Sequence, residues 1–261
     1  MPTSHRRPAN KHSKRKTHRR KAQRRILHGL LLVFAALMLC FGLFLWKAAL
    51  ELNAPAESGA SAEYLRPLVV DPPDRVAVDA GHGGSDPGAR GVVQEKQVTA
   101  ATAAALLQWL EEDSNYIPLQ TRESFDETAT PAQRAAAASA QSPQLLLSIH
   151  GNSAANGSTA AGFECYPAVP GRTWHQESFY FAKLLAGGMQ SIGARLRGRG
   201  GVRYIYYLEN DQKQLVENTY TQVRPERSFT LLEAVDCPAV LAEQCFVTTD
   251  EDVEHFGSEQ G

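Results

Sequence analysis

The sequence predicts an α/β fold, with a mostly parallel central sheet covered by helices in a single domain, preceded by one N-terminal transmembrane helix. From residue 74 onward, short apolar runs alternate with longer helix-like stretches, the pattern of parallel strands joined by helices. Nearer the N-terminus, residues 26–46 contain a single strongly polar residue, His28. The charge is also divided, because a basic N-terminal segment precedes an acidic remainder.

The basic segment and the apolar run together predict a membrane topology. Residues 1–25 contain eleven of the 27 Lys and Arg residues and no Asp or Glu, so the other 236 residues carry 16 basic and 28 acidic side chains, a formal charge of −12. As a helix, residues 26–46 would reach about 31 Å, the thickness of a bilayer core. The positive-inside rule makes residues 1–25 a cytoplasmic tail and the rest extracytoplasmic, held at the cell membrane by a single pass.

Two alternatives remain for this end. The basic tail resembles a nucleic-acid-binding segment, but beside an apolar span a topology signal touching anionic lipid is favoured, so no nucleic-acid partner is expected. A cleaved signal peptide is the second alternative, because residues 54–56 and 60–62 offer small-residue cleavage sites. The apolar core exceeds the usual length of about 7 to 15 residues, which favours an uncleaved anchor.

Residues 47–73 are rich in Ala, Ser, Pro and Glu without a sustained apolar period, which predicts a linker. The folded domain is expected over residues 74–261. Outside the apolar run lie three cysteines, an odd number that implies no disulfide framework. Small buried hydrophobes are the favoured interpretation, with a bridge from Cys165 to Cys237 or Cys245 as the alternative.

Within the domain, the elements are expected in alternation. Strands are predicted at residues 75–80, 116–122, 144–150, 161–167 and 238–246, and helices at 95–112, 131–141 and 175–196. In such sheets, chemistry gathers beyond the carboxyl ends of the strands. His82, His150 and Glu243 are predicted at or just past three of these ends.

The stretch VAVDAGHGGSDPGARG (76–91) places His82 among four glycines directly after the first strand. A tight turn, a phosphate-binding loop and a metal ligand are its three interpretations. The phosphate loop is disfavoured, because the glycines lack the Gly-x-Gly-x-x-Gly spacing and no Lys-Ser or Lys-Thr follows them.

Two further residues favour the metal site. Glu95 is expected in the first turn of an Ala-rich helix, where an acidic residue also complements the helix dipole. His150 ends a buried strand, where an ionisable ring needs a partner. Two imidazoles and one carboxylate, here His82, Glu95 and His150, form the ligand set of a catalytic zinc site that leaves its fourth position to water.

A family resemblance rests on these residues. In this order, VDAGHGGSDPGARG, EKQVT, TR, SIHGN and PAVLAEQCF resemble the zinc-dependent N-acetylmuramoyl-L-alanine amidases of bacterial cell walls, of the amidase-3 type. The resemblance implies Zn²⁺ bound by His82, Glu95 and His150, a catalytic glutamate at Glu243, and cleavage of the amide between N-acetylmuramic acid and the L-alanine of the stem peptide. The implied partners are peptidoglycan glycan strands and stem peptides.

Other residues at family positions have lesser expected roles. Asn152 is expected either to orient the ligand loop or a substrate amide, or simply to form an Asn turn. Arg122 and Arg134 are expected to form structural ion pairs rather than to contact substrate. His175 and His255 match no motif and are expected to be solvated.

Three departures from the family pattern are visible in the sequence. The first is Gly151, where Ala or Cys is more usual after the second histidine, and it is expected to be harmless. Residues 198–228 are longer and more polar than expected, which predicts an insertion at the substrate rim or at a partner contact. A closing helix usual after the segment VTTDEDVEHF is expected to be absent.

Two rival functions remain at this stage. A catalytically inactive wall-binding or regulatory module would normally have lost one of the four site residues, and all four are present. A zinc peptidase acting within the stem peptide is the nearer rival. The sequence identifies no activator protein.

Overall fold

A five-stranded sheet forms the centre of the domain. The structure is a computed structural model that describes residues 72–257. The strand order is β2-β1-β3-β7-β4, in which the first four strands are parallel and β4 pairs antiparallel with β7. A separate antiparallel pair is formed by β5 and β6. The strands are β1 Asp74–Ala80, β2 Tyr116–Gln120, β3 Leu145–Asn152, β4 Glu164–Pro167, β5 Arg203–Tyr207, β6 Lys213–Glu217 and β7 Ala239–Phe246.

Helices cover both faces of this sheet. They are α1 Glu95–Glu112, α2 Pro131–Ala140, α3 His175–Ser191, α4 Thr230–Ala234 and α5 Asp250–Phe256. Alternate residues of β1 enter different core clusters: Val76 and Val78 pack with Ala103 and Leu107 of α1. Ala77 belongs to the cluster that contains residues of α2 and α4. The strands are therefore buried on both faces, as expected for parallel strands between helices, and the predicted fold class is confirmed for the described domain.

Local sequence signals explain where α2 begins. Thr130 is its N-cap and accepts a hydrogen bond from the backbone N–H of Gln133, whose side chain accepts one from the backbone N–H of Thr130. Pro131 occupies the first helical turn, where a missing N–H costs nothing. Helix α1, by contrast, begins at Glu95 without a side-chain cap.

The observed boundaries correct several expectations. His150 is the sixth of the eight residues of β3 rather than its last residue, since pairing with β7 carries the strand on to Asn152. Helix α3 ends at Ser191 rather than at residue 196, because glycines at 187, 188 and 193 weaken its last turns. Glu243 is the fifth of the eight residues of β7 rather than a strand-end residue, since pairing with β3 and β4 carries the strand on to Phe246. The predicted insertion, 198–228, contains the β5–β6 hairpin.

The remaining predictions concern the thiols and the chain ends. Cys165, Cys237 and Cys245 are buried and unpaired, as the favoured interpretation expected. In residues 72–257, no helix combines the length and apolar character needed to cross a bilayer. The predicted cytoplasmic tail, transmembrane helix and nearly all of the linker lie outside the described residues, as do the last four residues of the chain.

Candidate metal centre

The three predicted metal ligands come together at one edge of the sheet. His82 follows β1, Glu95 is the first residue of α1, and His150 lies on β3 beside β1. The Oε1 atom of Glu95 lies 3.0 Å from His82 Nε2 and 3.0 Å from His150 Nδ1. One potential ligand atom from each residue lies within 4.8 Å of the other two. The geometry is that of a group able to hold a metal ion.

Glycines allow this approach because the ligand side chains pack directly on the backbone. A Cβ at Gly81 would overlap the imidazole of His150, and a Cβ at Gly88 would lie 2.6 Å from Glu95 Oε2 and 2.7 Å from His82 Cδ2. His82 itself has a φ of 63°, a left-handed conformation uncommon for a residue with a side chain. Such backbone strain concentrates at functional sites.

Hydrogen bonds orient Glu95 and His82. The backbone N–H groups of Ala89 and Gly151 donate to the two oxygens of Glu95, at 2.8 and 3.0 Å. On the other side, His82 Nδ1 lies 2.8 Å from Asp86 Oδ2. A ligating histidine commonly donates its second N–H to a carboxylate, which fixes its ring and tautomer. Asp86 was not predicted, although its position four residues after His82 in the Gly-rich loop is a usable signal.

The same contacts keep Glu95 ionised. Burial raises its pKa, but the hydrogen bonds and charges of His150 and His82 outweigh burial and hold the pKa well below its usual range. For His82, burial lowers the pKa, and the carboxylates of Glu95 and Asp86 more than compensate, so the pKa is raised. The negative charge of Glu95 is therefore available to a cation.

Glu243 lies on the strand next to His150. The two residues are direct partners in the parallel pairing of β3 and β7, and the register shifts immediately after them. Its Oε2 atom is buried without a hydrogen-bond partner in the described residues. Burial, followed by repulsion from Glu95 and Glu164, raises the pKa of Glu243 to about 8. An unpartnered carboxyl group whose pKa is near neutrality has the properties of a general acid or base.

A second carboxylate, Glu164, was missed in the sequence. It pairs with Glu243 across β4 and β7 and is 2% exposed. Its oxygens contact Arg203 at 2.9 Å, Arg197 at 3.3 Å and Asn152 Nδ2 at 2.6 Å. A charged residue inside the apolar strand segment AGFECYP is the signal that could have revealed it.

Asn152 makes one contact across the strands and one local contact. Its side-chain amide donates to Glu164, and its Oδ1 accepts from the backbone N–H of Ser153 at 2.8 Å. The first contact ties the end of β3 to β4, and the second is local to the end of β3. The expected role in orienting the ligand loop or a substrate amide stays a prediction.

The two predicted arginines have structural roles, although only one forms an ion pair. Arg134 pairs with the fully buried Asp79, which also accepts hydrogen bonds from Thr121 and Ser148. Arg122 instead donates to the backbone carbonyls of Ala80 and His82, at the start of the Gly-rich loop that carries His82. The expected ion pair is therefore wrong for Arg122, because no carboxylate lies within salt-bridge distance of its guanidinium in the described domain.

The histidines outside the motifs differ from each other. His255 is exposed, as expected. His175 is half-buried: its Nδ1 lies 2.8 Å from the carbonyl of Ala168, and its ring packs against Phe179 and Tyr204. The expectation of solvation is wrong for His175, because α3 turns this first residue toward the β5–β6 hairpin.

An open cleft of 640 Å³ contains the candidate metal centre. Its lining includes His82, Glu95, His150 and Glu243. Four residues of the hairpin also line it: Ile205, Tyr207, Lys213 and Leu215. The residues that line the cleft are polar at the metal centre, and both polar and apolar residues line it on the side of the hairpin. Residues of the predicted insertion therefore form part of its wall.

Comparison with known proteins identifies the family. The amidase-3 family, described as N-acetylmuramoyl-L-alanine amidase, matches residues 76–261. The chain belongs to this family. The protein YqiI of Bacillus subtilis strain 168 is 32% identical over 189 residues, which cover 71% of this chain and 76% of YqiI. The N-acetylmuramoyl-L-alanine amidase CwlM of Bacillus licheniformis is 29% identical over 187 residues, covering 70% of this chain and 61% of CwlM.

A solved structure has the same fold. The N-acetylmuramoyl-L-alanine amidase from Clostridium difficile 630 superposes with a TM-score of 0.58 at 25% identity, covering 72% of this chain and 88% of that one. The resemblance inferred from the motifs is thereby confirmed. The amidase-3 chain described here is a peptidoglycan hydrolase with N-acetylmuramoyl-L-alanine amidase activity, and its three converging side chains form a site able to hold a metal ion.

Proposed function

We propose that the metal is Zn²⁺ and that His82, Glu95 and His150 are its three protein ligands. The observation that carries this proposal is the convergence of both imidazoles on one oxygen of Glu95, at 3.0 Å each. Two imidazole nitrogens and one carboxylate oxygen suit zinc, and catalytic zinc sites use three protein ligands with one open position. The contact from Asp86 to His82 supplies the outer-shell partner typical of such sites.

The reaction adds water across the amide bond. When bound, zinc polarises the scissile carbonyl and lowers the pKa of a water to roughly 7. The water oxygen bonds to the lactyl carbonyl carbon, the bond from that carbon to the L-alanine nitrogen breaks, and the nitrogen needs a proton to leave as an amine. The protein must supply a group that accepts the water proton and returns it to that nitrogen.

Glu243 is the residue that we assign to this proton transfer. Its carboxyl group lines the same cleft as the three ligands, and it is on the strand next to His150. Its buried Oε2 has no partner in the described residues, so that oxygen is available to a proton. Three residues of the insertion, Tyr207, Lys213 and Leu215, line the same cleft and are proposed to contribute to holding the substrate.

One variant set tests the metal and Glu243 together. Glu243→Gln is expected to retain one zinc per chain while losing about 10² to 10⁴ in turnover of purified peptidoglycan, the usual contribution of a positioned acid–base group. His150→Ala is expected to lose zinc. Glu177→Gln, an exposed glutamate on α3, is the matched control and should behave as wild type. If His150→Ala retains stoichiometric zinc with unchanged affinity, or Glu243→Gln retains near-normal turnover, the corresponding assignment is wrong.

Mass analysis of the products separates the rival functions. Amidase action releases peptides that begin with a new L-alanine amine and leaves a new lactyl carboxyl group on the glycan. Cleavage within the stem peptide would indicate a peptidase. An inactive wall-binding module would bind peptidoglycan and release no fragment.

We also propose that the amidase domain acts outside the cytoplasm, anchored by residues 26–46. The support is the sequence itself: an apolar run of bilayer length directly follows a segment with eleven basic residues and no acidic one. A reporter active only outside the cytoplasm, fused after Gly261, should be active, and the mature chain should keep its N-terminus. Activity of a cytoplasm-only reporter would contradict the topology, and a mature N-terminus near residue 57 or 63 would indicate a cleaved signal peptide.

A further inference from the structure

The hairpin wall of the cleft carries a cation that the proposed mechanism does not use. Lys213 is the first residue of β6 and pairs with Tyr207 across the hairpin. Its Nζ atom lies 5.8 Å from the centroid of the Tyr207 ring, and both residues line the cleft. The position is therefore defined by the hairpin and faces the same space as the metal centre.

The hairpin is held firmly against the sheet. Arg203, at the start of β5, bonds to Glu164 at 2.9 Å and to Glu217 at 2.8 Å. Tyr204 and Tyr206 of β5 are 2% and 0% exposed. Glu164 is itself paired with Glu243 across β4 and β7. The backbone of Lys213 thus belongs to a hairpin that is tied to the sheet, and its exposed side chain lines the cleft.

Lys213 differs from the other cation of the cleft. Arg134 also lines the cleft, but its guanidinium is committed to the buried Asp79. No carboxylate that lines the cleft in the described domain forms an ion pair with Lys213. Its charge nevertheless acts at the site, because it lowers the otherwise raised pKa of Glu243. Lys213 is thus a cation on the cleft wall that is available to an anionic group of a ligand.

The substrate has anions on only one side of the scissile bond. The lactyl carboxyl group of N-acetylmuramic acid is consumed in the amide, and N-acetylated sugars are neutral. Carboxylates therefore come from the peptide. An unpaired lysine in the cleft is therefore expected to contact the peptide part of the substrate rather than the glycan part.

We propose that Lys213 binds a carboxylate of the stem peptide, so that the β5–β6 hairpin forms the peptide side of the cleft and selects acidic stem peptides. This inference rests on the proposed amidase mechanism and adds a specificity-determining residue to it. A charge-assisted contact of this kind corresponds to about a tenfold difference in affinity or in kcat/KM.

The test uses two matched substrates. They are N-acetylmuramoyl-L-alanyl dipeptides whose second residue carries either a free α-carboxylate or the corresponding carboxamide, with any other carboxyl group amidated in both. Wild type is expected to prefer the carboxylate by about tenfold in kcat/KM, mainly through KM. Lys213→Met should abolish this preference, and Lys213→Arg should largely restore it.

The ratio between the two substrates is the decisive quantity. Loss of Lys213 also removes a charge that acts on Glu243, but that effect changes both substrates equally and leaves the ratio unaltered. Lys183→Met is the matched control, because Lys183 lies 5.9 Å from the ring of Phe179 on α3, outside the cleft. It should keep the wild-type ratio.

Binding measured separately distinguishes failure of this inference from failure of the mechanism. The zinc-loaded full chain is titrated with the two L-alanyl dipeptides that correspond to the leaving products. Tighter binding of the carboxylate form that disappears in Lys213→Met supports the inference even if turnover is absent. Equal binding of both forms by wild type, or a preference that survives Lys213→Met, overturns it.

Discussion

His82 Nδ1 lies 2.8 Å from Asp86 Oδ2, four residues along the same loop. The other ring nitrogen, Nε2, faces the candidate metal centre, so the Asp86 carboxylate orients the His82 ring from the side away from that centre. Asp86 is exposed, whereas the ligand carboxylate Glu95 is buried. A candidate ligand, His82, and the residue that orients it, Asp86, thus belong to one short Gly-rich segment. Their contact therefore depends on the local conformation of that loop.

The first prediction concerns this pair. Asp86→Asn should weaken zinc binding by about 10- to 100-fold, because the variant loses the charged acceptor that orients His82. Competition with a chelator of known affinity measures the change. Asp126→Asn makes the same change at another exposed aspartate and is the charge-matched control. Equal zinc affinity of the two variants would show that Asp86 does not contribute to zinc binding.

A second prediction compares two glycines. Gly88→Ala should reduce both zinc occupancy and activity, because the added Cβ would lie 2.6 Å from Glu95 Oε2 and 2.7 Å from His82 Cδ2 at a φ of +65°. Gly188→Ala should instead raise the free energy of unfolding by about 0.5–1 kcal/mol, because Gly188 is exposed in α3 and a Cβ there meets nothing within 4 Å. Urea denaturation with metal analysis distinguishes the two effects, and a Gly88→Ala protein with full zinc and activity would contradict the packing argument.

A third prediction addresses the buried pair of Asp79 and Arg134. Arg134→Met should lower the free energy of unfolding by about 3–5 kcal/mol, because it leaves Asp79 charged and 0% exposed. The double variant Asp79→Asn/Arg134→Met should lose less than the sum of the two single variants, as coupled partners do. Zinc per folded molecule should be retained throughout. Strictly additive losses would show that the two side chains do not interact energetically.

The fourth prediction concerns thiol reactivity and its dependence on pH. Burial, followed by the nearby carboxylates of Asp236 and Asp252 respectively, raises the pKa of Cys237 and Cys245 to about 12. Burial also raises the pKa of Cys165. Only the thiolate reacts, and a raised pKa keeps the thiol protonated as the pH increases.

Alkylation of the three thiols in the folded protein should therefore stay slow from pH 7 to 9 and become fast in denaturant. A Cys40→Ser background removes the fourth cysteine from the measurement. Rapid labelling of any of the three in the native state, located by peptide mass, would contradict their burial.

Much of the fold and part of the site could be predicted because their signals are local. Alternating apolar runs and Ala-rich stretches indicated the parallel sheet and its helices, since each pattern reflects the period of one element. His82, Glu95 and His150 were recognisable because each lies near an element boundary in an ordered set of motifs. Their convergence then follows from the parallel order of β1 and β3. Their role as zinc ligands stays a prediction until metal is measured.

Other features were decided only by tertiary structure. Glu164 faces Glu243 because β4 pairs antiparallel with β7, and Lys213 faces the cleft because the hairpin is tied to Glu164 through Arg203. Arg122 donates hydrogen bonds to backbone carbonyls rather than to a carboxylate, and no sequence motif indicates this choice of partner. The physical reason is that strand register and hairpin placement depend on packing between residues far apart in sequence. The sequence therefore determined which chemical groups this amidase carries near its sheet edge, and long-range packing decided which of them face one another.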